Sequence, residues 1–184
     1  MIRSLAATLF ALVMMGGLAV SAQADSTPVS GTLTGNTTLT ATANPDVFDS
    51  NFTGSGIDTV SGAFTTTNTS TITFTSSSTF ISSGTFMDLS AGGTLFGTLS
   101  GTGNVTATGS DTTTLDLFTG GTGIFAGATG EVTVTGTSTT TGAFTGTYTG
   151  FVTTPEPSSL ALMLAGIGLL PLMPKRLTQG RRAI

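Results

Sequence analysis

The sequence predicts an all-β protein: a single antiparallel β-barrel or β-sandwich over residues 25–154, flanked by a different kind of segment at each end. Three observations carry this reading. Apolar and polar residues alternate with period two in Thr71-Ile72-Thr73-Phe74-Thr75, Leu115-Asp116-Leu117 and Val132-Thr133-Val134-Thr135, which is the pattern of half-buried strands. Residues 25–154 contain 40 Thr, 15 Ser and 21 Gly; threonine favours strands, and glycine interrupts every candidate helix. Eleven Phe spread from Phe48 to Phe151 give this stretch the apolar mass of one core, which a disordered Gly/Ser/Thr tract lacks.

In chain order, residues 1–24 read as a secretory signal peptide. Arg3 and the amino terminus supply the positive start, Leu5 to Val20 the apolar stretch, and Ala22-Gln23-Ala24 a small-x-small cleavage site, so the mature chain is expected to begin at Asp25. Strands are then expected near 29–42, 57–66, 69–75, 79–87, 93–99, 103–108, 112–118, 131–139 and 143–152. Clusters of Gly, Ser, Asn and Asp separate them. In the last of these, Phe144, Gly146, Tyr148, Gly150 and Val152 share one face, with Thr145, Thr147 and Thr149 on the other. The strand spacing has no fixed period, which argues against a solenoid.

The segment from Thr119 to Gly130, Thr-Gly-Gly-Thr-Gly-Ile-Phe-Ala-Gly-Ala-Thr-Gly, resembles the glycine-rich turn of allene oxide cyclase-like and dirigent-like β-barrel proteins. The resemblance implies a small barrel and carries no catalytic residue across. Physically, its glycines suit positive-φ turn positions and Phe125 suits a core plug. No helix or basic residue follows that would make it a phosphate cradle.

The C-terminal part, 155–182, has three pieces. Pro155-Glu156-Pro157 removes two donors and excludes helix or strand. Ser158-Ser159 can cap a helix over 158–173, in which Leu160 to Met173 is almost purely apolar. Such a helix rises about 24 Å, marginal for a bilayer core of about 30 Å. Lys175, Arg176, Arg181 and Arg182 follow as a basic tail over 175–182, a transmembrane stop held on the cytoplasmic side. Tripeptide, helix and basic tail in this order resemble the PEP-CTERM sorting signal of exported bacterial proteins. The resemblance implies an exosortase as processing partner alongside signal peptidase, and cleavage near Pro155-Glu156-Pro157. It further implies transient anchorage in the inner membrane, then release to the cell surface or extracellular matrix of biofilm-forming cells, where exopolysaccharide is a partner. The same tail also occurs on proteins described as ice-binding. Pro171, inside the helix, departs from the pattern.

Charge excludes several functions. Only 8% of residues are charged, against a usual value near 25%. Between Asp25 and Thr154 there are eight carboxylates and no Lys, Arg or His, so this part cannot displace counterions from nucleic acid. The chain has no Cys, His or Trp, which removes disulfides, thiol or imidazole catalysis, and His/Cys metal sites. No catalytic residue, metal ligand or cofactor is assigned, and the protein is read as a non-enzyme. Asp46 and Asp49 beside one expected turn, and Asp111 and Asp116 around another, read as turn and surface carboxylates. Rows of threonine (Thr69 to Thr75, Thr133 to Thr141, Thr145 to Thr149) read as outward strand faces; a flat array of this kind can order water or bind ice. The sequons at Asn36, Asn51, Asn68 and Asn104 are matches expected from composition.

The function expected is an exported, non-catalytic cell-surface or biofilm-matrix protein. The alternatives are an ice- or surface-adhesion module using the threonine faces, and a small-ligand barrel or barrel enzyme. Intact-mass measurement of the exported form should find termini near Asp25 and Thr154. Recovery only as the full-length cytoplasmic chain would contradict the export reading.

Overall fold

The computed structural model describes residues 25–155. They form eight antiparallel strands: β1 (Asp25–Ala41), β2 (Val47–Asp58), β3 (Gly62–Phe74), β4 (Thr79–Ser90), β5 (Gly93–Thr106), β6 (Gly109–Gly121), β7 (Thr129–Thr139) and β8 (Ala143–Thr154), with a short 3-10 turn at Gly123–Phe125 before β7. Each strand pairs with the next. β1 also pairs with β8 from Asp25↔Thr154 to Asn36↔Ala143, closing the sheet into a barrel. Of barrel and sandwich, the structure selects the barrel, which leaves no open edge.

Eight strands replace the nine expected from the sequence. Strand β2 lies mostly in a stretch that reads as turn, Asp49-Ser50-Asn51-Phe52-Thr53-Gly54-Ser55-Gly56. Asn68 does not divide β3, and Gly101 and Gly103 do not divide β5. The reason is packing. Inward glycines sit beneath aromatic rings of the neighbouring strand. Gly56 pairs with Phe64, Gly103 with Phe80, Gly31 with Tyr148, and Gly97 with both Phe86 and Phe118. A Cβ at Gly31 would lie 2.8 Å from the Tyr148 ring, and one at Gly103 would run into Phe80. These glycines are spaces for rings, so they cost strand propensity and return aromatic burial.

The same pairing occurs once on the outside. Between Phe96 and Gly97 the register of β5 against β6 shifts, leaving Thr119 as an extra residue. This bulge turns Gly120 outward, where the Phe96 ring covers it.

The two rims differ. At the rim formed by residues 59–61, 91–92 and 122–128, Phe125, Ala128, Val152 and Val29 fill the bore, each no more than 5% exposed. Phe125 therefore plugs the core as its place in the glycine-rich turn suggests, with Gly123 and Gly127 at φ +63° and +73°. At the rim of residues 42–46, 75–78, 107–108 and 140–142, inward positions stay open: Leu39 is 52% exposed and Val105 42%. Hydroxyls tie down the turns there. The Thr42 hydroxyl donates to the Val47 carbonyl at 2.8 Å, and Ser76 Oγ and Thr79 Oγ1 share a bond of 2.7 Å.

Two substitutions separate ring space from backbone conformation. Gly103→Ala should cost about 1–3 kcal/mol by crowding Phe80. Gly62→Ala, at φ +69° with nothing within 4 Å, should cost only about 1 kcal/mol. Phe125→Ala should cost about 3–5 kcal/mol. Urea denaturation followed by far-UV circular dichroism measures all three.

Candidate functional site

The barrel encloses a cavity of about 550 Å³, within the range that holds a small molecule. An eight-stranded barrel is just wide enough to be filled by side chains or to keep such a space. Here Ser50, Ser70, Ser82 and Ser110 leave room that larger side chains would fill. The walls are aromatic: Phe64 and Tyr148 meet edge to face at 5.9 Å between ring centres, and Phe86 and Phe118 at 5.7 Å.

Three carboxylates line this cavity: Asp58 from β2, Asp88 from β4 and Asp116 from β6. Asp58 is held firmly. The backbone N–H groups of Val60 (2.6 Å) and Ser61 donate to its Oδ1, and the Tyr148 hydroxyl donates to Oδ2 at 2.9 Å. Burial, and then the Asp58 carboxylate, push the Tyr148 hydroxyl above its ordinary value, so it stays a donor. Asp88 is pushed up to about 6, mainly by burial, with the Thr66 hydroxyl opposing and Asp58 adding repulsion. Asp116 is pushed up to about 7 by burial, opposed by the Thr114 hydroxyl and helped by the charge of Asp88. Its Oδ1 is buried without a hydrogen-bond partner.

This placement corrects the sequence reading of Asp116. It was expected to bracket a turn at the surface with Asp111. Both residues lie within β6; Asp111 faces out and Asp116 faces in. The flanking Leu115 and Leu117, expected to be the buried residues of that alternation, are outside at 37% and 40% exposure. Met87-Asp88-Leu89 is inverted in the same way, with Met87 and Leu89 exposed. Asp58 and Asp88 were not singled out from sequence, nor was Tyr148. The signal was parity: Asp88 is two residues after Phe86, and Asp116 two before Phe118, so each must share the aromatic face. Asp46 lies in the β1–β2 loop and Asp49 faces out from β2, in keeping with their surface reading.

The threonine rows face outward on β3, β7 and β8, apart from Thr75 and Thr141, which lie in turns. Thr135, Thr147 and Thr32 stand side by side across β7, β8 and β1. They lie on the wall of a closed barrel, which curves. The outside of β3, β7 and β8 presents mostly hydroxyls, whereas that of β4, β5 and β6 also carries Met87, Leu89, Phe96, Leu115 and Leu117. Of the sorting tripeptide, Pro155 is exposed just beyond β8. Glu156, Pro157, the helix expected over 158–173, the basic residues Lys175, Arg176, Arg181 and Arg182, and the cleavage residues Ala22 and Ala24 all lie outside the described residues.

Compared with known proteins, the chain matches no family model, no curated protein and no solved structure.

The cavity acids give the barrel a specific pH dependence. In an unfolded chain each aspartate titrates near 3.9. From there to about pH 7 the folded barrel holds more protons on Asp88 and Asp116 than the unfolded chain does, so stability falls as pH rises through that window. The melting temperature should be several degrees higher at pH 5 than at pH 8. Asp116→Asn should flatten the profile and raise stability at pH 8 by roughly 1–3 kcal/mol. A melting temperature that climbs from pH 5 to pH 8 would contradict the burial of these groups.

Proposed function

We propose that the chain is an exported, non-catalytic cell-surface protein whose barrel takes up a small molecule. The carrying observation is the cavity of about 550 Å³, plugged at one rim and open at the other. A barrel built only as a matrix brick would gain stability by filling this space. Here small inward residues leave it free beneath aromatic walls, as in small barrels that hold one ligand.

The sorting features support the exported setting: a cleavable N-terminal signal and a C-terminal segment resembling PEP-CTERM signals. Signal peptidase and an exosortase are the proposed processing partners, with transient inner-membrane anchorage before release to the surface or matrix. The ice-binding alternative needs a flat threonine array, and the curvature of a closed barrel weighs against it. The test is titration of the purified chain with the neutral dye N-phenyl-1-naphthylamine, followed by dye fluorescence. Saturable binding of one dye per chain is expected, weakened at least tenfold when Ser70→Leu and Ser82→Leu, both at lining positions, fill the bore. Absence of saturable binding would overturn the reading.

A further inference from the structure

We propose that the molecule taken up is a small organic cation, an ammonium head on an apolar body, with its charge held among Asp58, Asp88 and Asp116 and its body against Phe86, Phe118 and Tyr148. This rests on the binding reading above and specifies its ligand.

Three independent features point the same way. The first is charge. The cavity contains three carboxylates, and residues 25–154 contain no Lys, Arg or His to neutralise them. Asp58 and Tyr148 are the only partners among the titratable lining groups, joined by the 2.9 Å hydrogen bond; Asp88 and Asp116 face the same space with no opposite charge. The second is an unfilled acceptor. Asp116 Oδ1 is buried with no donor, an arrangement that folded proteins avoid unless another group completes it. The third is the wall. Aromatic faces attract cations and shelter an apolar chain, and they repel anions. An anion would meet three carboxylates, and a neutral molecule would leave Asp88 and Asp116 without an opposite charge.

The geometry also chooses among cations. Among the described residues no group of three or more acidic side chains is gathered closely enough to hold a metal ion. Spread carboxylates in an aromatic cavity suit a larger, diffuse head bearing N–H donors. The charge of the ligand replaces the protons held by Asp88 and Asp116, so binding should release protons and strengthen with pH.

The experiment compares n-octylammonium, octan-1-ol and octanoate, equal in length and different in head charge, as displacers of N-phenyl-1-naphthylamine from the full chain. Tyr148 is the only tyrosine and there is no tryptophan, so its emission reports directly on the cavity. Octylammonium should displace at least tenfold more strongly than octanol, and octanoate least. Its affinity should rise at least tenfold from pH 5 to pH 8, with a change in tyrosine emission. Asp88→Asn with Asp116→Asn should remove at least tenfold of the octylammonium affinity and leave that of octanol unchanged. That variant removes strained carboxylates, so a retained melting transition checks its fold. Equal displacement by the three compounds would overturn the cation assignment while leaving the binding reading intact. So would octylammonium binding insensitive to the double substitution, as expected of adsorption to the apolar ends of the chain. Failure of the dye itself to bind would overturn both.

Discussion

Aromatic rings laid over glycines of the adjacent strand are the contact on which this barrel depends. Eight strands enclose a narrow bore, and a wall of large side chains on every strand would overfill it. Alternating ring and glycine across the hydrogen-bonded pairs lets Phe64, Phe80, Phe86, Phe118 and Tyr148 enter the bore at full size. Each ring covers backbone that would otherwise be bare, and each glycine admits a ring that a Cβ would block. The high glycine content, which in isolation weakens strands, is therefore part of the core. The outside needs no such matching, and threonine serves there because its branched Cβ suits a pleated sheet and its hydroxyl suits water.

Against this apolar framework the three inward aspartates are anomalous, and their surroundings show how differently they are treated. Asp58 closes the turn after β2 and anchors Tyr148, so it has a structural reason to be where it is. Asp88 and Asp116 have no comparable set of donors. Burial favours their neutral forms, and repulsion by Asp58 on Asp88 and by Asp88 on Asp116 adds to this. The chain forgoes stability to keep them in the cavity, while Met87, Leu89, Leu115 and Leu117 stand outside in water. Exchanging the faces of those two strand segments would be the more stable arrangement on hydrophobic grounds alone. Register prevents it, because Phe86 and Phe118 would be turned out at the same time.

That conflict also marks where the sequence was readable. The all-β class followed from local alternation, and the inward set of β8 from Phe144 to Val152 was visible in the same pattern. The plug at Phe125 was visible in the glycine-rich turn. Strand β2 was hidden because its glycines and asparagine look like turn residues until their partners on β1 and β3 are known. The cavity acids were hidden for a related reason. A triplet such as Leu115-Asp116-Leu117 assigns leucine to the core by local hydropathy, and only the longer parity through Phe118 reverses it. The first omission depends on cross-strand neighbours, which a single strand does not contain; the second depends on parity carried along the whole strand. The identity of the closing pair, β1 with β8, lies equally beyond local pattern.

That closing pair governs how the chain folds. Seven of the eight strand interfaces join consecutive strands and can form as local hairpins, while the eighth joins residues separated by most of the folded chain. Ring closure therefore waits for β8, and until then β1 and β8 are bare edges. Natural edge strands are commonly guarded by lysine; these two contain none, and their outward faces are largely uncharged. Until β8 pairs with β1, the partly formed barrel is an open, unguarded sheet. Its protection against aggregation lies in the speed with which the last strand arrives.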